Sequence, residues 1–418
     1  MQPDMSVANL FFIFVAGLVP LAVIAFRLGL LRIGRQMAAG ERPYSRPGHY
    51  GWFAVVSLAV PALAVAVGGA LLHLFGLYEV PGSMLLTTAL LAGAGGLALA
   101  LKLISPTYRA RNVVEATIRA TLLIASTVSI LTTIGIVLSV LFEAMRFYQM
   151  VGFWNFIAGT EWNPDTAFLE GAGRGDEGAA SAQFGSVPVF AGTFMITLIA
   201  MSVAIPVGLF SAIYMSEYAS HAVRGWLKPM LEVLAGIPTV VYGFFAAITI
   251  SPLVVQLAAH FGLAAEATNA LTPGLVMGVM LIPFISSLSD DVLNSVPQAM
   301  RDGSLALGMT KAETVRHIVL PAALPGIVSA VLLAVSRAIG ETMIVVMAAG
   351  LRPNLTMNPL EGMTTVTVRI VDALTGDQEF DSPLTLSAFG LGFVLLVLTL
   401  ILNLISLSVI RRFRMKYD

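Results

Sequence analysis

Nine long apolar segments dominate this sequence and restrict the folds that it can adopt. Each is long enough to cross about 30 Å of hydrocarbon at roughly 1.5 Å per helical residue. They lie near residues 7–31, 53–76, 83–104, 120–142, 188–214, 230–257, 271–289, 322–349 and 385–410. Because a helix satisfies its own backbone hydrogen bonds inside a bilayer, the pattern predicts an all-α polytopic membrane protein. Only 11% of the residues are charged, against roughly a quarter in soluble domains.

The remaining composition argues against several classes of function. A net charge of −1 is not that of a nucleic-acid binder, which concentrates basic residues on one face. The sequence contains no Cys, so it has no disulfide and no thiolate metal site. The five His residues are scattered without the spacing of metal ligands, and no metal site is predicted. No G-x-x-x-x-G-K-[ST] motif is present, so we predict no ATPase site in this chain.

The charged residues between the apolar segments predict how the chain crosses the membrane. Lys and Arg are frequent in every second connection and in the C-terminal tail, whereas the other connections are richer in Asp and Glu. Cytoplasmic loops carry the excess of basic residues in most membrane proteins. With nine crossings, this alternation predicts an external N-terminus and a cytoplasmic C-terminus.

The distribution of unusual residues predicts two domains. Residues 1–114 would form an N-terminal extension of three membrane helices with a cytoplasmic linker. Residues 115–418 would contain six further helices and nearly every charged or irregular feature of the apolar segments. In this second domain, residues 143–187 would form an external loop and residues 290–321 a cytoplasmic loop.

A patterned polar segment, residues 302–321, lies between two apolar segments. Gly308 predicts a tight turn between two short helices, and Pro321 would begin the next span, where its missing N–H is harmless. Three apolar residues near the turn would form an exposed cluster that could lie in a groove of a partner: Leu305, Leu307 and Met309. An amphipathic connector on the membrane surface would explain the same periodicity, so the pattern leaves both interpretations open.

Two charged residues lie inside the eighth apolar segment. Arg337 and Glu341 are four residues apart, which predicts that they share one face of a helix. Each would cost roughly 2.5–3.5 kcal/mol at the centre of a bilayer. In a functional interpretation Arg337 meets a tetrahedral oxyanion, and Glu341 holds the guanidinium in place between transport events. In the alternative interpretation, the pair only locks the packing of the helix.

The sixth apolar segment contains a second irregularity, Gly236-Ile237-Pro238. Proline lacks the N–H that a helix interior requires, and it disfavours helical geometry in the residue before it. The tripeptide therefore predicts a broken or kinked helix near a pore, although a tolerated kink without a functional role is an equal alternative.

These features together resemble the binding-protein-dependent ABC transporter permeases. In that family a cytoplasmic loop reads E-A-A, three residues, Gly, nine residues and then Ile-x-Leu-Pro. The residues of this chain that match the spacing are Gly308, Ile318, Leu320 and Pro321. The E-A-A position reads Asp302-Gly303-Ser304, which keeps the acid and introduces two weaker helix formers. The resemblance implies that this loop receives force from a separate ATPase, with a geometry that the departure could alter.

A narrower resemblance, to the PstC-type subunits of phosphate importers, covers about residues 120–418. It rests on four stretches: SEYAS at 216–220, LAGIPTVVYGFF at 234–245, SRAIGETM at 336–343 and EGMTTVTVRIVDALTGDQEFDSP at 361–383. The family implies a six-helix type I ABC importer permease core, here preceded by three extra transmembrane helices. It also implies that Arg337 and Glu341, which match its R-A-x-G-E positions, contribute to the phosphate path.

The resemblance implies partners as well as a fold. They are a PstA-like second permease, two copies of an ATP-binding subunit, an external phosphate-binding protein and the lipid of a bacterial inner membrane. This chain would bind no cofactor, since ATP and Mg would be held by the ATPase subunit, and it would not itself be an enzyme. The alternatives are a permease for another oxyanion such as sulfate or molybdate, an ion-coupled secondary transporter, or a membrane scaffold that binds a regulatory kinase.

Overall fold

The structure is a computed structural model, and it describes residues 7–38, 40–76, 81–164, 183–376 and 381–414. Within these ranges the chain is almost entirely helical, and nine helical segments are long and apolar enough to cross a membrane. The predicted fold class is thereby confirmed. Residues 165–182, in the middle of the predicted external loop, lie outside the described residues.

The chain forms two compact units, Met1–Ile134 and Gly135–Asp418. The division falls inside the fourth helix, whereas the sequence placed a domain boundary after residue 114. The boundary after residue 114, between the three-helix extension and the six-helix permease domain, stays a prediction.

Small residues bring the helices of the first unit close together. The unit contains α1 (Val7–Ala38), α2 (Pro47–Leu74), α3 (Gly82–Leu103) and the first part of α4 (Ala110–Val151). A Cβ atom at Gly96 of α3 would lie 2.0 Å from the carbonyl oxygen of Ser57 in α2, so only glycine permits this approach. The hydroxyl of Tyr50 donates to the carbonyl oxygens of Pro106 (3.3 Å) and Tyr108 (3.0 Å), which anchors the connection between α3 and α4.

The second unit continues α4 and adds twelve further helices and two short strands among the described residues. In chain order they are α5 (Phe153–Ala158), β1 (Trp162–Asn163), β2 (Gln183–Phe184), α6 (Val187–Ile213), α7 (His221–Ala235), α8 (Thr239–Phe245), α9 (Ser251–His260), α10 (Leu271–Ser295), α11 (Gln298–Ala306), α12 (Lys311–Thr314), α13 (Leu320–Ile339), α14 (Met343–Ala348), α15 (Val366–Gly376) and α16 (Pro383–Arg414). The strands pair antiparallel, with Trp162 opposite Phe184. Three π-helical turns join helices: Tyr214–Tyr218 extends α6, Ala246–Ile250 joins α8 to α9, and Val315–Val319 joins α12 to α13.

The parallel helices α6 and α10 form the centre of the second unit. Ile196 and Ala200 of α6 are buried in the same cluster as Met277, Leu281 and Ile285 of α10. Helices that are apolar on every side are typical of such a central position. Because α6 and α10 share this long packed contact, a displacement of one is transmitted to the other.

The tripeptide at 236–238 ends one helix and precedes another. Helix α7 stops at Ala235 and α8 starts at Thr239, so the predicted interruption is confirmed. The predicted start of the sixth span at residue 230 is wrong, because α7 is a separate amphipathic helix and the span begins after Pro238. Pro238 is compatible with the start of a helix but not with its interior.

Candidate functional site

The polar segment 302–321 folds as two short helices around a glycine turn, as the sequence predicted. Helix α11 ends at Ala306, and Gly308 has a φ of +87°, a conformation that strains any residue with a Cβ atom. Thr310 then caps α12, since its hydroxyl accepts from the N–H of Glu313 while the Glu313 carboxylate accepts from the N–H of Thr310. Pro321 lies in the first turn of α13.

One side of this polar segment faces outward from the chain. Leu307 is 86% exposed and Leu305 is 49% exposed, so two members of the predicted apolar cluster present apolar surface to their surroundings. Met309, the third member, is half-buried. Asp302 and Gly308 are exposed beside them, while Ile318 and Leu320 turn partly inward. This arrangement offers an apolar surface with an acid next to it.

The departure from E-A-A at residues 302–304 leaves α11 intact. Gly303 lies inside the helix, and Ser304 is buried on its inner side. The Ser304 hydroxyl donates to the carbonyl oxygen of Arg301 at 2.8 Å and lies 2.8 Å from the hydroxyl of Thr314 in α12. Serine at this position therefore links the two short helices, which an alanine could not do.

Gly303 provides a test of how much the departure weakens α11. A Cβ atom at Gly303 would meet no atom within 4 Å, and glycine inside a helix costs roughly 0.5–1 kcal/mol relative to alanine. We expect Gly303→Ala to slow amide hydrogen exchange across residues 298–306. Gly308→Ala is the matched control, since a Cβ atom at Gly308 would also meet no atom within 4 Å but the φ of this residue is positive. We expect this substitution to speed amide hydrogen exchange around residue 308. Equal effects from both substitutions would contradict this explanation.

Arg301, on the inner side of α11, makes contacts that the sequence did not predict. Its Nε and Nη2 atoms donate to Oε1 of Glu217 at 3.1 and 2.8 Å. Its Nη1 atom donates to the carbonyl oxygen of Val296 and its Nη2 atom to that of Leu293. In the sequence, Glu217 is the acid of the SEYAS stretch and Arg301 precedes the E-A-A position. Their spacing gives no indication that the two side chains meet.

A second buried acid, Asp290, lies on α10 beyond the predicted end of the seventh span. Its side chain is 1% exposed, and Arg224 of α7 donates to both of its carboxylate oxygens, at 2.9 and 3.2 Å. Lys228 lies 3.5 Å away, and the side-chain amide of Asn294 donates at 2.9 Å. The ion pairs fix amphipathic α7 against the end of α10. The sequence had indicated Arg224 and Lys228 only as basic loop residues.

Arg337 and Glu341 do not share a helical face, and this prediction is wrong. Helix α13 ends at Ile339, and residues 340–342 turn the chain into α14 before Glu341 can complete a further helical turn. No ion pair joins the two side chains in the described part of the chain. Glu341 therefore does not hold Arg337 in place, and the two residues are separate features.

Arg337 and Glu341 lie in different surroundings. The Arg337 guanidinium lies 5.7 Å from the ring centroid of Phe284, and it stands in the last turn of α13, where the helix dipole favours a cation. The Arg337 side chain is exposed in the isolated chain. Glu341 is 9% exposed, and its backbone carbonyl oxygen accepts from the hydroxyl of Thr367 at 2.8 Å. An exposed guanidinium at the end of an apolar helix is available to an anion or a partner.

Comparison with known proteins assigns the class of this protein. Residues 204–415, about half of the chain, match the family described as "Binding-protein-dependent transport system inner membrane component". The chain belongs to this family of ABC transporter permeases and is a multi-pass inner membrane protein. The segment 302–321, Arg337 and the helices α10 to α16 lie inside the matched range.

Individual relatives narrow the resemblance. The "Phosphate transport system permease protein PstC 1" of Mycobacterium tuberculosis is 32% identical over 65% of this chain and 85% of its own length. The "Probable ABC transporter permease protein YqgH" of Bacillus subtilis is 32% identical over 60% of this chain and 75% of its own length. A solved bacterial alginate ABC transporter aligns at 16% identity and a TM-score of 0.48, over 71% of this chain and 96% of that one. The recognition of a PstC-type permease is confirmed by the sequence relatives.

Proposed function

We propose that this chain is the transmembrane permease subunit of an ATP-driven phosphate importer, in which it forms half of the translocation path. The observation that carries the proposal is a continuous helical rod from Lys311 to Ile339. One end of the rod follows the exposed α11 and the Gly308 turn, and the other end carries Arg337. A force applied at the polar segment would therefore move the residue that is best suited to meet an anion.

Phosphate is the cargo that the relatives and the chemistry of Arg337 support. A guanidinium can donate two parallel N–H bonds to a tetrahedral oxyanion and remains charged at any physiological pH. The PstC relatives carry phosphate transport in their names. Sulfate and molybdate have similar geometry, so a permease for either of these oxyanions is the main alternative.

The partners follow from the same proposal. A PstA-like permease would complete the path, and an external phosphate-binding protein would deliver the cargo. Two copies of an ATP-binding subunit would hold ATP and Mg²⁺ and would press on the polar segment through Leu305 and Leu307. Closure of the ATPase would open the path outward, and hydrolysis would return it to the inward state. The polar segment and the C-terminus would then be cytoplasmic, with the N-terminus outside.

Reconstitution tests this proposal directly. The chain would be purified with its candidate ATPase and second permease, placed in vesicles, and supplied with labelled phosphate and the binding protein. We expect ATP-dependent accumulation that unlabelled phosphate suppresses and that sulfate and molybdate leave unchanged. If sulfate or molybdate suppressed the uptake, that oxyanion would replace phosphate as the proposed cargo. Uptake that an ion gradient drives without ATP would favour the secondary transporter.

A further inference from the structure

One side chain of α11, Arg301, reaches two other parts of the second unit. Glu217 lies in the π-helical turn that extends α6, and the carbonyl groups of Leu293 and Val296 lie at the end of α10. Four hydrogen bonds from a single guanidinium meet at this point. Arg301 therefore joins α11 to the ends of both central helices.

The contact between Arg301 and Glu217 is buried and joins one positive and one negative side chain. The Arg301 side chain is 12% exposed and the Glu217 side chain is 8% exposed. The last carbonyl groups of a helix lack the regular helical N–H partner four residues on, and here Arg301 donates to two of them. Loss of the guanidinium would leave a buried carboxylate and two carbonyl groups without these partners, an unfavourable state in a region of low dielectric.

The same helix presents the opposite side to an incoming partner. Arg301 and Ser304 are three residues apart and face inward, whereas Asp302 and Leu305 are exposed. Helix α11 is thus attached to its own chain through Arg301 and Ser304 and exposed along its other face. Ser304 reaches only α12, which continues into α13. Arg301 provides a separate connection, to α6 and α10.

We propose that Arg301 and Glu217 are positioning residues that transmit displacement of α11 to α6 and α10. This inference rests on the proposed function, since it names the link through which the ATPase would act on the path. Without the link, a force on α11 would reach only α13 through the Gly308 turn. With it, α11 moves together with α6 and α10, because α6 and α10 are packed along their length.

The test compares ATP hydrolysis with uptake in the reconstituted complex. We expect Arg301→Gln and Glu217→Gln each to retain the ATPase subunit and its hydrolysis while phosphate taken up per ATP falls by roughly tenfold or more, as expected for loss of a charge-assisted contact. The double variant should be no worse than either single variant, because both remove one shared link. Arg301→Lys should take up more phosphate per ATP than Arg301→Gln but less than the wild type. A lysine ammonium can pair with Glu217, but it cannot reach the carboxylate and both carbonyl groups at once.

Arg119→Gln serves as the control, because Arg119 is an exposed residue of the first unit and the proposal gives it no role. An unchanged ratio in both single variants, or losses that multiply in the double variant, would overturn the inference. So would equal losses of hydrolysis and uptake. If Arg301→Gln fails to assemble, the Glu217→Gln and Arg301→Lys variants decide the question. If the wild-type complex transports another oxyanion, the proposal of phosphate as the cargo is wrong. The amount of that oxyanion taken up per ATP still tests whether Arg301 and Glu217 couple α11 to α6 and α10.

Discussion

Arg337→Gln is expected to reduce phosphate uptake by roughly a hundredfold while the complex still assembles. The substitution keeps a polar side chain, although a shorter one, and removes its charge and its bidentate geometry. Two lost charge-assisted hydrogen bonds at about 1.5 kcal/mol each correspond to a factor of this order. Because Arg337 is exposed and has no ion-pair partner in the described chain, its replacement should leave the fold unchanged. Labelled uptake and co-purification of the ATPase subunit measure the two quantities separately.

Two further variants sharpen this expectation. Arg119→Gln makes the same chemical change at an exposed site outside the proposed path, and uptake should remain at the wild-type level. Glu341→Gln should act independently of Arg337→Gln, since no ion pair joins the two side chains in the described part of the chain, and the free-energy effects should add. Normal uptake by Arg337→Gln would disprove the proposed role, and strong non-additivity would restore the paired arrangement that the sequence suggested.

Asp290→Asn is expected to destabilise the protein more than the same change at the neighbouring Asp291. The carboxylate is 1% exposed, and its removal would leave Arg224 and Lys228 without the acid that they share. Breaking a buried ion pair costs roughly 3–5 kcal/mol. The two basic side chains are about a third exposed, so solvent would compensate part of this cost. We therefore expect a loss of about 2 kcal/mol in the free energy of unfolding in detergent.

The neighbouring residue is a matched control for this substitution. Asp291 is 65% exposed and lies 3.6 Å from Lys228. Since an exposed ion pair contributes at most about 1 kcal/mol, Asp291→Asn should change stability by less than that. Thermal unfolding of both variants in the same detergent gives the comparison. Equal destabilisation by the two substitutions would show that the burial of Asp290 contributes little.

Features that depend on neighbouring residues were predictable from the sequence. Hydropathy located all nine spans, because the length of an apolar run is sufficient to decide whether it can cross a bilayer. The spacing of Gly308 and Pro321 likewise predicted the helix–turn–helix form of the polar segment, since both residues restrict the backbone locally. The bounds of the spans were less predictable. Helix α4 runs from Ala110 to Val151, well past the apolar stretch at 120–142, because its polar ends are also good helix formers.

The candidate site was only half predictable. The charge of Arg337 within an apolar segment marks it as a candidate, and its role stays a prediction. Its relation to Glu341 was predicted wrongly, since the sequence could not show that α13 ends at Ile339. Helix ends inside apolar segments depend on tertiary contacts rather than on hydropathy. The Glu217–Arg301 contact joins residues 84 positions apart, and the Asp290–Arg224 contact joins residues 66 positions apart. No local sequence pattern predicts a contact between residues so far apart along the chain.

The sequence by itself was enough to predict nine membrane spans, a resemblance to the ABC permeases and a polar segment with a turn at Gly308. Each of these depends on composition or on short-range spacing. Only the tertiary structure decided which charges meet. It paired Arg301 with Glu217 and Asp290 with Arg224, and it left Arg337 without a carboxylate partner in the described chain. The physical reason is that the energy of a buried charge depends on what the fold brings within about 4 Å of it.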